Sequence, residues 1–324
     1  MDRAAAIGCG ASVKHDVVLH EDLSCSGSDG LVVTRDDVTV DLNGHEIRGD
    51  GSGRGIATAA GSTFSGHLRI TSSKAGGTIR EFNKGIELIG AAHSTVEKAR
   101  LESNGTGIEI RPEDRNKDIV VRGVKVLGSS GTGLDAFLGS NLTVRESRFV
   151  GNESGISLGY FDESILKENV VLASGGAGVT VGVSDGVEIA SNSIFGTGGI
   201  GIDATQVDGT GLTVTDNDVR HTHATGIALD AQEGPFSIRK NRVRDASGHG
   251  VEVTGVESGQ VRLNNVAYSF GDGIRVLDTQ AVVAQNAATE NRGVGIRSQG
   301  IDGQGNYASG NGDEDCLGVE CPAS

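Results

Sequence analysis

The sequence predicts an all-β fold, a single-stranded right-handed parallel β-helix of about a dozen coils with N- and C-terminal caps. Three observations predict it. Glycine supplies 52 of the 324 residues, proline only 3, and tryptophan none. A glycine followed by apolar–any–apolar recurs every 22 to 26 residues. An asparagine series keeps step with it. Fixed periods of this size mark a solenoid, and a narrow core of Val, Ile, Leu and Ala needs few large rings, which suits an aromatic content of 3%.

Residues 1–29 read as an N-terminal cap over the open edge of the first coil. The coils occupy 30–301. They open irregularly with Leu31-Val32-Val33 and Val38-Thr39-Val40-Asp41-Leu42-Asn43-Gly44-His45, where Asn43-Gly44 is a turn signal and Asp41 is placed to satisfy backbone donors. The regular run begins at Gly85-Ile86-Glu87-Leu88, continues through Gly107, Gly133, Gly155, Gly178, Gly201, Gly226, Gly250 and Gly273, and ends at Gly295-Ile296-Arg297-Ser298. In each strand the first and third residues after glycine point into the core and the one between points out. The glycine is expected to turn a sharp corner with positive φ.

Asn169, Asn192, Asn217, Asn241, Asn264 and Asn286 step by 23, 25, 24, 23 and 22, the same steps the glycines take from Gly178 to Gly295. Two markers that change step together define a structural period. These asparagines are expected at a second corner, each amide bonding to its neighbours one coil above and below. Crossovers between parallel strands are right-handed, which gives the handedness. Residues 302–324, with Asp313-Glu314-Asp315, read as a C-terminal cap or tail. No linker divides the chain, so it is one structural domain.

A formal charge of −15 argues against nucleic acid and against insertion into an anionic membrane, and no apolar run approaches the roughly 20 residues a spanning helix needs. The expected partner is a carbohydrate or small-molecule ligand in a groove along one sheet; the sequence leaves the oligomeric state unknown. Cys9 and Cys25 lie near one end, Cys316 and Cys321 near the other. Local pairing would staple both ends where a solenoid frays, and such bonds persist in oxidising compartments. Four free thiols are the open alternative. Met1-Asp2-Arg3-Ala4 reads as the trimmed end of an exported protein, with a cytoplasmic start as the alternative.

Cys9-Gly10, Asp22-Leu23-Ser24-Cys25, Val40-Asp41-Leu42-Asn43-Gly44-His45 and the Asn/Gly-marked coils resemble the right-handed parallel β-helix proteins of the pectin-lyase-like superfamily. The likeness is nearest to an actinobacterial exported group, and looser to NosD-like repeats. The resemblance implies the fold along nearly the whole chain. It implies no catalytic residue, because the diagnostic motifs of pectate lyases and polygalacturonases are absent and fold does not set function.

The outward residues after each glycine form a column: Glu87, Glu109, Asp135, Ser157, Thr180, Asp203, Ala228, Glu252, Arg275, Arg297. Asp230 lies in the next column, and His249 and Asp272 directly precede their glycines. Neighbouring coils are about 5 Å apart. Asp203, His249, Glu252 and Arg275 are therefore the candidate catalytic residues, with His249 or Arg275 as the base that removes a proton α to a uronate carboxyl. Arg275 and Arg297 suit that carboxylate bidentately. Asp230, Asp272, Arg297, Phe137 and Tyr160 are the candidate substrate-binding residues. Asp203, Asp230 and Glu252 are the candidate oxygen ligands if calcium is a cofactor; no other cofactor is indicated. The plain alternative is a solvated sheet face on which Glu252 and Arg275 form an ordinary ion pair. Phe149 and Phe195 are expected in the corner or core, Phe161 either there or in a sugar-facing cluster with Phe137 and Tyr160, and His221-Thr222-His223 in a solvated loop.

The function this implies is a carbohydrate-active protein, a lyase or epimerase that abstracts a sugar proton from an acidic polysaccharide. The rivals are a non-catalytic exported glycan-binding protein and an isomerase or cyclase of a small metabolite.

Overall fold

A computed structural model describes residues 7–59, 66–111, 116–205, 211–230 and 234–321. The chain forms two compact units, 1–153 and 154–324. Every regular element among the described residues is a strand.

Each unit is a parallel β-helix whose coils have three short strands. In the first unit the third strands are Leu23–Ser24, Glu46–Arg48, Thr78–Arg80, Arg100–Glu102, Lys125–Leu127 and Arg148–Val150, which gives six coils. The second has seven, from Val170–Leu172 to Tyr307–Ser309. The expected column is in register. Glu87 pairs with Glu109, which pairs with Asp135. In the second unit Ser157, Thr180, Asp203, Ala228, Glu252, Arg275 and Arg297 follow one another coil by coil. The flanking residues are sealed inside: Ile86, Leu88, Ile108, Ile110, Val179, Val181, Val251 and Val253 are all buried.

Coil structure extends into both stretches assigned to caps. Ala11–Val13 pairs with Leu31–Val33, and Cys316–Leu317 pairs with Ile296 and Arg297. These strands are two or three residues long; Gly10 precedes the first but lies far from the regular run that starts at Gly85, and no glycine directly precedes Cys316. Cys9–Cys25 and Cys316–Cys321 are disulfides, and no described cysteine is free.

The repeating glycines are not the positive-φ corners. Close approach demands them. A Cβ on Gly226 would lie 2.3 Å from Val243 Cγ1 and 2.6 Å from the carbonyl oxygen of Gly250. The left-handed corners instead carry Glu168, Ser191, Asp216, Lys240, Leu263 and Gln285, each directly before a ladder asparagine. That conformation costs a non-glycine residue about 1–2 kcal/mol, and the ladder offsets it. Asn241, for example, receives the backbone N–H and side-chain amide of Asn217 on its Oδ1, both at 3.0 Å. Its own amide donates to Val214 O at 2.9 Å and to Asn264 Oδ1 at 3.0 Å. The ladder runs one rung past the expected series, to Asn306.

Candidate functional site

In the first unit the outward column is locked by opposite charge. Arg54 bridges Asp29 and Glu87, Lys84 bridges Glu87 and Glu109, and Arg111 bridges Glu109 and Asp135. Glu87 and Glu109 are 5% and 4% exposed, so these carboxylates are spent on one another's cations. Burial pushes the Glu87 carboxyl up, but Arg54 and Lys84 outweigh it and hold it below its ordinary value.

The second unit is different. The residues directly before the strand glycines form their own column, Thr225, His249, Asp272, Val294. Each polar side chain folds over the coil above. His249 Nδ1 accepts the backbone N–H of Asp272 at 2.9 Å, and Asp272 Oδ1 accepts the N–H of Val294 at 2.9 Å. One atom of each group is thus tied to backbone and the other faces out. His249 Nε2 faces Arg275 Nη1 at 2.9 Å and Glu252 Oε1 at 3.8 Å. Glu252 Oε1 is 3.7 Å from Arg275 Nη1, and its Oε2 accepts the Thr225 hydroxyl at 3.4 Å. Asp272 Oδ2 takes Arg297 Nε at 2.8 Å.

Burial works to raise the Asp272 carboxyl, but the Arg297 hydrogen bond and the Val294 N–H prevail and hold it below 3.8. The same hydrogen bond holds the Arg297 guanidinium above its usual value. Arg275 is less settled. Its Nε is buried without a hydrogen-bond partner, and its Nη1 confronts a ring that, when neutral, has a single acceptor nitrogen, already taken by the Asp272 N–H.

The fold makes this packing possible with glycine. A Cβ on Gly271 would lie 2.7 Å from His249 Nδ1, and one on Gly293 2.5 Å from Asp272 Oδ1. Sequence reasoning missed both, although Gly248-His249-Gly250, Gly271-Asp272-Gly273 and Gly293-Val294-Gly295 spell a repeated G-x-G.

His249, Glu252, Asp272, Arg275 and Arg297 therefore come together. Asp203 lies two coils from Glu252, across Ala228. Asp230 stands in the next column, where it accepts the Thr254 hydroxyl at 2.9 Å. Tyr160 is 49% exposed, four coils before Glu252. Phe137 is exposed in the first unit. Among the described residues no three His, Cys, Asp or Glu side chains converge as a metal site would require. Phe149 and Phe161 are buried, but Phe195 is exposed, because the third-strand position it occupies points outward. His221 lies 3.7 Å from Asp245, and His223 Nδ1 lies 2.9 Å from Thr197 O.

The family model for the right-handed beta helix region matches residues 69–219 and 201–320. The chain belongs to the right-handed β-helix family. Among solved structures, this β-helix is similar to a variant of the periplasmic alginate epimerase AlgG, at TM-score 0.59 and 14% identity over 95% of this chain and 78% of that one. It is similar to the A-module of a mannuronan C-5 epimerase from Azotobacter vinelandii, at TM-score 0.58 and 16% identity over 95% of this chain and 89% of that one. It is also similar to the catalytic unit of an α-1,3-glucanase from Streptomyces thermodiastaticus, at TM-score 0.51 and 13% identity over 97% and 64%. At such identities the likeness is one of fold. No curated protein matches the sequence.

Proposed function

We propose that this β-helix is a carbohydrate-active protein that holds an acidic polysaccharide along the strip from His249 to Arg297 and acts on it as a lyase or epimerase. The observation that carries this reading is the tethering just described. His249 and Asp272 are each fixed to backbone by one atom and present the other beside two arginines, one of them incompletely bonded. Fixed donors around a site of developing charge are what such chemistry needs. That similar folds include two epimerases of uronate polymers and a glucanase supports it. Two disulfides suit an exported protein.

The roles follow from hydrogen-bond accounting. With Nδ1 accepting the Asp272 N–H, the proton of a neutral His249 ring sits on Nε2. His249 is then the acid rather than the base expected from sequence, and Glu252 is the base. Glu252 takes the proton α to the uronate carboxyl, and the electron pair passes into that carboxylate, whose growing charge Arg275 stabilises. In epimerisation a solvent proton returns to the opposite face and Glu252 gives its own up to solvent. In elimination the C4–O bond breaks, His249 protonates the leaving oxygen from the same face, and the ring regains its proton from Glu252 3.8 Å away. Asp272 holds Arg297 for substrate carboxylates, and Asp203 and Asp230 face sugar hydroxyls further along the strip.

Proton NMR in heavy water with a panel of polyuronates, with and without calcium, tests this. An alkenyl signal marks a lyase, and ring deuterium with altered stereochemistry marks an epimerase. Glu252→Gln and His249→Ala are each expected to cost about 10²–10⁴ in rate; full activity in both would refute the assignment. The closed Asp272–Arg297 pair favours a second reading, a non-catalytic glycan-binding strip, which predicts saturable binding without product.

A further inference from the structure

At the end of the third strand and in the corner that follows it, coils of the second unit carry rings and guanidinium groups that the proposed chemistry does not use. Five consecutive coils contribute. Phe195 comes first, then His221, then Arg244, then Tyr268 and Phe270 together, then Arg292. Phe195, Tyr268 and Phe270 are 43%, 49% and 55% exposed, in a chain with only 3% aromatic residues and no tryptophan. Rings needed for the core, such as Phe149 and Phe161, are fully buried, so these are not displaced core residues.

The contacts within the strip are specific. The His221 ring meets Phe195 edge-on at 4.8 Å between centroids. The Arg244 guanidinium lies 5.9 Å from the Tyr268 ring centre, and that of Arg292 lies 3.8 Å from the Phe270 centre. A guanidinium laid on a ring is pre-organised and keeps an N–H edge for bidentate capture of a carboxylate. Asp218 is engaged by Arg220 and Asp245 lies 3.7 Å from His221, while Glu290 follows Tyr268 one coil on. Neither Arg244 nor Arg292 is in an ion pair among the described residues, and Arg244 Nε is buried without a hydrogen-bond partner.

We propose that this corner is a second glycan-binding surface, which holds an extended acidic polysaccharide with sugar faces on Tyr268 and Phe270 and carboxylates on Arg244 and Arg292. Exposed rings offer an apolar face to the C–H side of a sugar, and the arginines supply the charge that a protein of net charge −15 otherwise withholds from a polyanion. Over five coils about 4.8 Å apart the strip runs about 19 Å, which suits a linear chain rather than a compact ligand. Phe270 precedes Asp272 by two residues, so the surface leads to the strip assigned above. The proposal rests on the carbohydrate-active reading for its ligand class, but it does not depend on catalysis.

The test is calorimetric titration of the full chain with polygalacturonate, with polymannuronate and with neutral dextran, in a Glu252→Gln background so that no substrate is consumed. Adding Phe270→Ala with Arg292→Gln, or Tyr268→Ala with Arg244→Gln, is expected to weaken binding of an acidic polymer about tenfold or more. Phe270→Tyr and Arg292→Lys are expected to retain part of it. Thermal melts should be unchanged for Phe270→Ala with Arg292→Gln, since both side chains are exposed. Unaltered affinity in both paired variants would overturn the surface, as would equal binding of dextran or no binding of either acidic polymer. Binding that is lost in the paired variants, in a protein whose wild type forms no product, would uphold the surface while removing the lyase and epimerase reading.

Discussion

Replacing Asn241 by alanine tests whether the asparagine ladder holds the second unit together. The side chain is 1% exposed and takes part in four hydrogen bonds. Its removal leaves the backbone N–H of Asn217 with no acceptor. The Asn217 amide keeps Ile189 O, and Asn264 Oδ1 keeps the Asn241 N–H, so those groups lose part of their bonding. An orphaned buried donor costs about 1–3 kcal/mol and each further bond about 0.5–1.5, so the variant should lose roughly 3–7 kcal/mol, the low end applying if a water enters the gap. Because repeats couple mainly to their neighbours, the loss should be local. Amide exchange should accelerate in Thr213–Thr215, Phe236–Arg239 and Gly259–Arg262, the second strands of the adjoining coils, and in urea these coils should open before the rest. A loss below about 1 kcal/mol, or exchange raised evenly along the chain, would show that core burial and not the ladder sets the stability.

Gly271→Ala places a methyl group 2.7 Å from His249 Nδ1; it should break the Asp272–His249 bond, cost about 1–3 kcal/mol, and lower turnover as His249→Ala does, read by NMR product formation and a thermal melt. Asp272 has a carboxyl held below 3.8 in the folded chain. Its contribution is therefore full above the unfolded value of about 3.9 and is lost as the pH falls through the lower folded value. The stability gap between wild type and Asp272→Asn in urea should accordingly narrow below about pH 4; a gap independent of pH would refute the pairing. Cys9→Ser with Cys25→Ser opens a 16-residue separation, for which loop entropy predicts a loss of about 3 kcal/mol, seen as faster exchange in Ala11–Val13 and Leu31–Val33.

The period was legible because two residue types mark it independently. From it came the outward column, the buried flanking positions and the asparagine corner, all in the register found. The first and last coils were not legible, since strands such as Val17–Val18 are too short to show alternation. Alternation also gives direction without depth. It says that Glu87 and Glu109 point outward but not that Arg54 and Lys84 close over them. The site was legible as a set of residues but not as an arrangement. That His249 would be held by the N–H of Asp272 depends on how far a side chain folds back over the next coil, and only the glycines at 271 and 293 hint at the space that requires. Phe195 was misplaced for a related reason: a bulky apolar residue suggests the interior, and the strand parity that sends it outward counts for more.

The tether that fixes His249 has a consequence for how such chains can change length. Its partner is a main-chain N–H, and Val294 offers the same group one coil further on, where Asp272 now uses it. Excising residues 250–272 would join His249 to Gly273 and bring Val294 to the place of Asp272, so the imidazole would keep an anchor. Arg275 would then stand where Glu252 stands, with Arg297 above it. Gain or loss of a whole coil thus behaves as an exchange of outward groups against a constant inner lattice, and new combinations of acid, base and cation can be sampled without a new fold.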